Sequence, residues 1–225
     1  MHRSLLIIVV FALAGLACDF GSFLRPPAEP TPPGQGIVEN FDANTHNWFE
    51  GPVSQAQVFI ADGVLHIDNP YEEELDDSGN NVIDNFVFSR MDCCNFENFD
   101  LTVESTQLEG TDNNEIGIVF YAREPKNFFE FAYSGDGFVA LFEYAGDDFS
   151  TIVEFTPVDA ILQGNATNTV RLVVQDGEVT AYINGSQVLN ADISMPRVSP
   201  IGLGCGAFEA PKVHCTFDNL RITQL

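Results

Sequence analysis

Four side chains between positions 121 and 143 have the types and spacing best suited to holding a ligand: Tyr121, Arg123, Glu130 and Glu143. Read as successive strands with a two-residue side-chain period, Ile116, Ile118, Phe120 and Ala122 fall on one face, and Tyr121 and Arg123 on the other. In the next strand Glu130 opposes Phe129, Phe131 and Tyr133, and in the one after it Glu143 opposes Phe142 and Tyr144. If the four share a concave face, they offer an aromatic platform and charged hydrogen-bonding groups. That chemistry suits a sugar, whose apolar ring face stacks while its hydroxyls take directed bonds. The competing reading is an ion-paired set on a solvated sheet. The chain carries no Ser/His/Asp motif, phosphate-binding glycine loop or dinucleotide fingerprint. Its four histidines, His2, His46, His66 and His214, form no ligand cluster in sequence.

The elements that must position these residues are strands. Glu115–Ala122, Phe128–Tyr133, Phe138–Tyr144 and Thr151–Phe155 are joined by linkers rich in Pro, Gly, Asn and Asp, the residues tight turns require. Such an apolar meander must lay one face on a second sheet. Before it, Ile37–Asp42, the hairpin Ala56–Ala61/Val64–Asp68 across Asp62-Gly63, Val82–Ser89 and Phe96–Gln107 read as strands; Tyr71–Asn81 is a polar acidic loop. After it come Thr169–Gln175, Glu178–Ile183 and Ser186–Asn190, turning at Asp176-Gly177 and Asn184-Gly185. Ile201–Ala207 and Val213–Thr223 then read as a closing hairpin across Phe208–Lys212. A dozen or more short strands, with no amphipathic helix, indicate an all-β antiparallel sandwich or barrel.

The N-terminus reads as an address. Met1-His2-Arg3 supplies a positive start, and Leu5 to Ala17 is an apolar run too short to span a bilayer as a helix, which takes about 20 residues. Gly15-Leu16-Ala17-Cys18 resembles a bacterial lipoprotein signal, apart from Gly15 where that pattern usually has Leu. The resemblance implies cleavage after residue 17, lipidation of Cys18 and a lipid-anchored position facing outside the cytoplasm. Residues 18–36, with five prolines between Pro26 and Pro33, form an extended tether, and residues 37–225 a single domain. A net charge of −24 repels phosphate backbones and anionic headgroups. Nucleic acid is therefore excluded as a partner, and membrane contact is left to the lipid anchor.

Besides Cys18 there are four cysteines, Cys93, Cys94, Cys205 and Cys215. In an exported protein they make two disulfides, by one of three pairings. A Cys205–Cys215 bridge across the closing hairpin would leave a vicinal Cys93–Cys94 ring. Stapling Cys93 and Cys94 separately to the hairpin needs no such ring and is preferred.

The segments FENFDLTVE (96–104), GIVFYAR (117–123), YINGSQV (182–188) and the closing FDNLRI (217–222) together resemble the concanavalin A-like lectin/glucanase jelly roll. Within it they are similar to the laminin-G-like and 3-keto-disaccharide-hydrolase-like branch. The resemblance spans about Ile37 to Ile222 and implies a two-sheet sandwich that binds a glycan or a surface protein, or else processes a glycoside; it specifies fold better than function. Glucanases of this fold carry Glu-x-Asp-x-x-Glu on one strand. The nearest stretch here, Asp100 to Glu104, has Thr102 in the middle place, and its two acids stand roughly 13 Å apart along a strand. Retaining and inverting glycosidases need about 5–5.5 Å and about 6.5–9.5 Å respectively, so that pair is no catalytic dyad and a non-catalytic domain is expected. No cofactor is required. The superfamily's structural calcium, held between first and last strands, implies Asp42 and Asp218 as ligands.

Overall fold

The computed structural model describes residues 30–70, 86–124, 126–146, 148–193, 198–207 and 212–225, with the side chains of 123, 124 and 149 left aside. The lipidation motif at Cys18 and the acidic loop Tyr71–Asn81 lie outside the described residues. The described chain forms fifteen strands: β1 (Gly36–Glu39), β2 (Gly51–Val53), β3 (Ala56–Ala61), β4 (Val64–Asn69), β5 (Phe86–Arg90), β6 (Phe99–Glu109), β7 (Glu115–Glu124), β8 (Asn127–Ser134), β9 (Phe138–Ala145), β10 (Asp148–Pro157), β11 (Asn168–Gln175), β12 (Glu178–Ile183), β13 (Ser186–Asp192), β14 (Gly202–Gly206) and β15 (Val213–Gln224).

Three hairpins turn where Asp-Gly or Asn-Gly supplies two consecutive positive φ angles: 53° and 77° at Asp62-Gly63, 52° and 90° at Asp176-Gly177, 50° and 83° at Asn184-Gly185. These mirror-image turns match the right-handed strand twist, so each sets its register without strain. The strands build two antiparallel sheets. The larger runs β13-β12-β11-β6-β15-β4-β3-β2, with β1 continuing the line of β4 along β15; the smaller runs β10-β9-β8-β7-β14-β5.

Between the sheets lies one core, in which Phe99, Leu101, Leu172, Phe217 and Ile222 of the larger sheet meet Ile118, Phe120, Phe129, Phe131 and Leu141 of the smaller. Burying each such side chain contributes about 1.5–3 kcal/mol. A buried bond between Tyr133 and Ser105 hydroxyls (2.8 Å) joins β8 to β6 through this layer.

Two expectations about the C-terminal part are corrected. The segments taken as a closing hairpin do not pair: β14 lies between β7 and β5, whereas β15 lies between β6 and β4. The chain changes sheets there, because β14 supplies three glycines to the outer face of the smaller sheet while β15 fills a slot in the larger. The preferred interlocked disulfides are also replaced. The pairs are Cys93–Cys94 and Cys205–Cys215. Cys205 and Cys215 both point into the core from opposite sheets with Cα atoms 6.1 Å apart, so this bridge staples the layers.

Candidate functional site

Of the four residues expected to form a ligand site, the three whose side chains are described, Tyr121, Glu130 and Glu143, do not come together. A β-bulge interrupts the β7–β8 register between Phe120 and Glu124, and Tyr121 takes a positive φ of 55°. The bulge turns Tyr121 inward beside Phe120, so both rings join the core. The Tyr121 hydroxyl donates to the Glu97 carbonyl at 2.6 Å. Burial, reinforced by Glu97 and Asp176, pushes that hydroxyl's pKa well up, and it stays protonated. Glu143 is paired in register with Phe129, a core residue, and Glu130 with Phe142, so the two carboxylates belong to opposite faces. Arg123 follows the bulge, and its side chain lies outside the described residues.

The outer face of the smaller sheet carries a different set. On β14, Gly202, Gly204 and Gly206 leave a bare strip, and Gly117 extends it onto β7. The Phe86 ring from β5 lies down in it, where a Cβ on Gly204 or Gly117 would collide with the ring. The carboxyl groups of Glu115 and Glu130 flank the same strip, over Gly206 and Gly117, and both are buried. Around them run aromatic contacts: Phe86–Phe88 at 6.1 Å, Phe88–Phe128 at 5.3 Å, Phe128 stacked on Tyr144 at 4.3 Å, and Phe142 edge-on to Phe155 at 5.5 Å. Phe88 and Tyr144 are half-buried and Phe155 is 42% exposed, so the row keeps ring surface open to solvent. Alternate glycines in GLGCG (202–206) signal a strand with one flat face. Only the sheet order shows which aromatics flank it.

Asp100 and Glu104 lie on the outer face of the larger sheet, and Asp100 is engaged by a bidentate pair with Arg171 at 2.8 and 2.6 Å. Arg171 also sits 5.2 Å over the Tyr182 ring. Burial first, then the charges of Glu104 and Asp42, raise the Asp218 carboxyl above its ordinary value, against a backbone bond from Asn219 that lowers it. Among the described residues no three His, Cys, Asp or Glu groups surround one point. Instead the Asn219 amide donates to Glu104 (2.9 Å) and Asp218 (3.3 Å), and Asn40 donates to Asp42 (2.6 Å). The carboxylate and amide oxygens of this set are of the class calcium takes.

No protein-family model and no curated protein matches the chain. Solved structures do. A prokaryotic β-1,3-1,4-glucanase (lichenase) from a mouse hindgut metagenome superposes with a TM-score of 0.57 at 12% identity, covering 84% of this chain and 98% of its own. The Bacillus licheniformis β-glucanase gives 0.57 at 11% identity, covering 85% and 99%. A carbohydrate-binding module from Bacillus subtilis gives 0.52 at 16% identity, covering 71% and 95%. At these identities the likeness is one of fold. With its two antiparallel sheets and the core between them, the chain is a concanavalin A-like jelly-roll sandwich.

Proposed function

We propose that the protein is a lipid-anchored, non-catalytic glycan-binding domain held outside the cytoplasm, with its ligand across the outer face of the smaller sheet. The observation that carries this reading is the aromatic row Phe88–Phe128–Tyr144 with Phe155 beside it. Open ring faces next to polar groups suit sugar stacking. Neighbours of this fold include a carbohydrate-binding module and glucanases, which supports the ligand class. Cys18 and the tether over residues 18–36 belong to the same proposal and rest on the sequence pattern.

A glycan array probed with the protein tests it. Saturable binding lost in Tyr144→Ala and in Phe155→Ala, and kept in Glu143→Gln, is expected. Binding indifferent to both aromatic changes refutes the placement, and a folded protein that binds no glycan but captures a surface protein refutes the ligand class.

A second reading, a glycoside-processing enzyme, draws support from Glu115 and Glu130. Their carboxyls lie over Gly206 and Gly117 on one face of the sheet, and both are buried. Release of reducing ends that stops in Glu130→Gln would replace binding by catalysis. Calcium between Asp42 and Asp218 is proposed as structural support on the strength of their oxygen donors and of the Asp42 charge acting at Asp218.

A further inference from the structure

The outer face of the larger sheet, on the opposite side of the molecule from the aromatic row, carries a pair of imidazoles that the glycan reading does not use. In the β4–β15 register His66 faces Thr216 and Asp68 faces His214, so His66 and His214 are diagonal neighbours on one face. Their rings meet with His66 Nδ1 3.0 Å from His214 Nε2 and ring centres 5.2 Å apart. Phe59, paired with His66 from β3, stacks flat on the His66 ring at 4.6 Å and 6°, which holds its plane. The other nitrogen of His66, Nε2, is buried and makes no hydrogen bond, so Nδ1 is the atom His66 presents.

These distances are close to those of a shared metal ion. Two imidazoles on a tetrahedral zinc, each with a bond of about 2.0–2.1 Å, hold their nitrogens about 3.3 Å and their ring centres about 5.2 Å apart. The ring centres already stand at that separation, and the nitrogens need to open by only about 0.3 Å, which small changes in the His214 side-chain torsions supply. A square-planar ion would bring the nitrogens to about 2.8 Å, just inside the observed contact. Asp68 and Glu109 both lie beside His214 in register, and Lys212 Nζ sits 3.4 Å from Asp68 and 3.1 Å from Glu109. Two carboxylates and one ammonium leave one negative charge beside the pair, which favours a cation.

We propose that His66 and His214 form an open, two-imidazole site for a divalent transition-metal ion of the class that prefers imidazole: copper, nickel or zinc. Water completes the coordination, since among the described residues no third His, Cys, Asp or Glu is set around the same point. On binding, the proton shared between the two nitrogens moves to the other nitrogen of its own ring, and both facing lone pairs go to the metal. The site is independent of the aromatic face and of any glycan.

Titration of the full-length protein with Cu2+ and Zn2+ at neutral pH, followed by calorimetry and copper electron paramagnetic resonance, tests this. One ion per chain is expected, with a spectrum showing two imidazole nitrogens and copper held more tightly than zinc. His66→Gln and His214→Gln should each weaken binding at least as much as the roughly 10–100-fold that loss of a mere supporting partner costs. His46→Gln should leave it unchanged. Circular dichroism confirms that each variant is folded. Absence of nitrogen coupling, or binding that survives in folded His66→Gln and His214→Gln, overturns the proposal.

Discussion

The two disulfides have sharply different mechanical roles, and removing them one at a time tests the pairing of the four cysteines. Cys205 and Cys215 are 10 residues apart in sequence and join opposite sheets. Closing a loop of that length removes denatured-chain entropy equivalent to about 2.7 kcal/mol at 25 °C. Cys93 and Cys94 are adjacent, so their bond closes no loop between elements and constrains almost nothing in the unfolded chain. The interlocked alternative would close loops of roughly 110 to 120 residues, each equivalent to about 5 kcal/mol. The double change Cys205→Ala/Cys215→Ala should therefore lower stability by about 3 kcal/mol, and Cys93→Ala/Cys94→Ala by less than about 1 kcal/mol. Urea unfolding followed by fluorescence measures both, with Trp48 buried in the core as the reporter. A loss of about 5 kcal/mol or more in Cys93→Ala/Cys94→Ala would refute the vicinal pairing.

Two further outcomes follow from side chains whose surroundings differ from the first expectation. Tyr121→Phe strips the donor from the partly buried Glu97 carbonyl and should cost about 0.5–1.5 kcal/mol in urea unfolding, with glycan binding unaltered; lost binding with unchanged stability would contradict a core role. Asp218 has its carboxyl pKa raised in the folded protein, so its contribution to stability is present below the unfolded value of about 3.9 and is lost as pH rises through the folded one. Asp218→Asn should accordingly stabilise the calcium-free protein at pH 7, with the gain vanishing at pH 3, as read by melting temperature. Added calcium should raise the melting temperature of the unaltered protein and leave Asp218→Asn unmoved; an equal rise in both would exclude Asp218 as a ligand.

Much of the fold was legible because β-structure is written in local terms. A period of two sorts each strand into a core face and an outer face, and Asp62-Gly63, Asp176-Gly177 and Asn184-Gly185 place reversals where positive φ is tolerated. The strands at Ala56–Ala61 and Glu178–Ile183 fall where they were expected to the residue. β2 escaped notice, since Gly51-Pro52-Val53 is too short to show a period. The candidate site was much less legible. Simple alternation sends Tyr121 outward, but the bulge between Phe120 and Glu124, where β7 carries two residues more than β8, reverses it. The same alternation, carried from strand to strand without a register, merged Glu130 and Glu143 onto one face.

Composition, period and turn residues by themselves determined the all-β class, most of the strand positions, the expectation against a nucleic-acid partner and that of a two-layer sandwich. These depend on interactions within about ten residues or on total charge. Tertiary structure alone decided that β14 and β15 belong to different sheets, that Cys205 reaches Cys215, that the bulge buries Tyr121, and that His66 meets His214 across 148 positions. Each of these depends on which strand lies beside which, and that is set by packing between residues far apart in the chain. Local sequence carries no record of such neighbours.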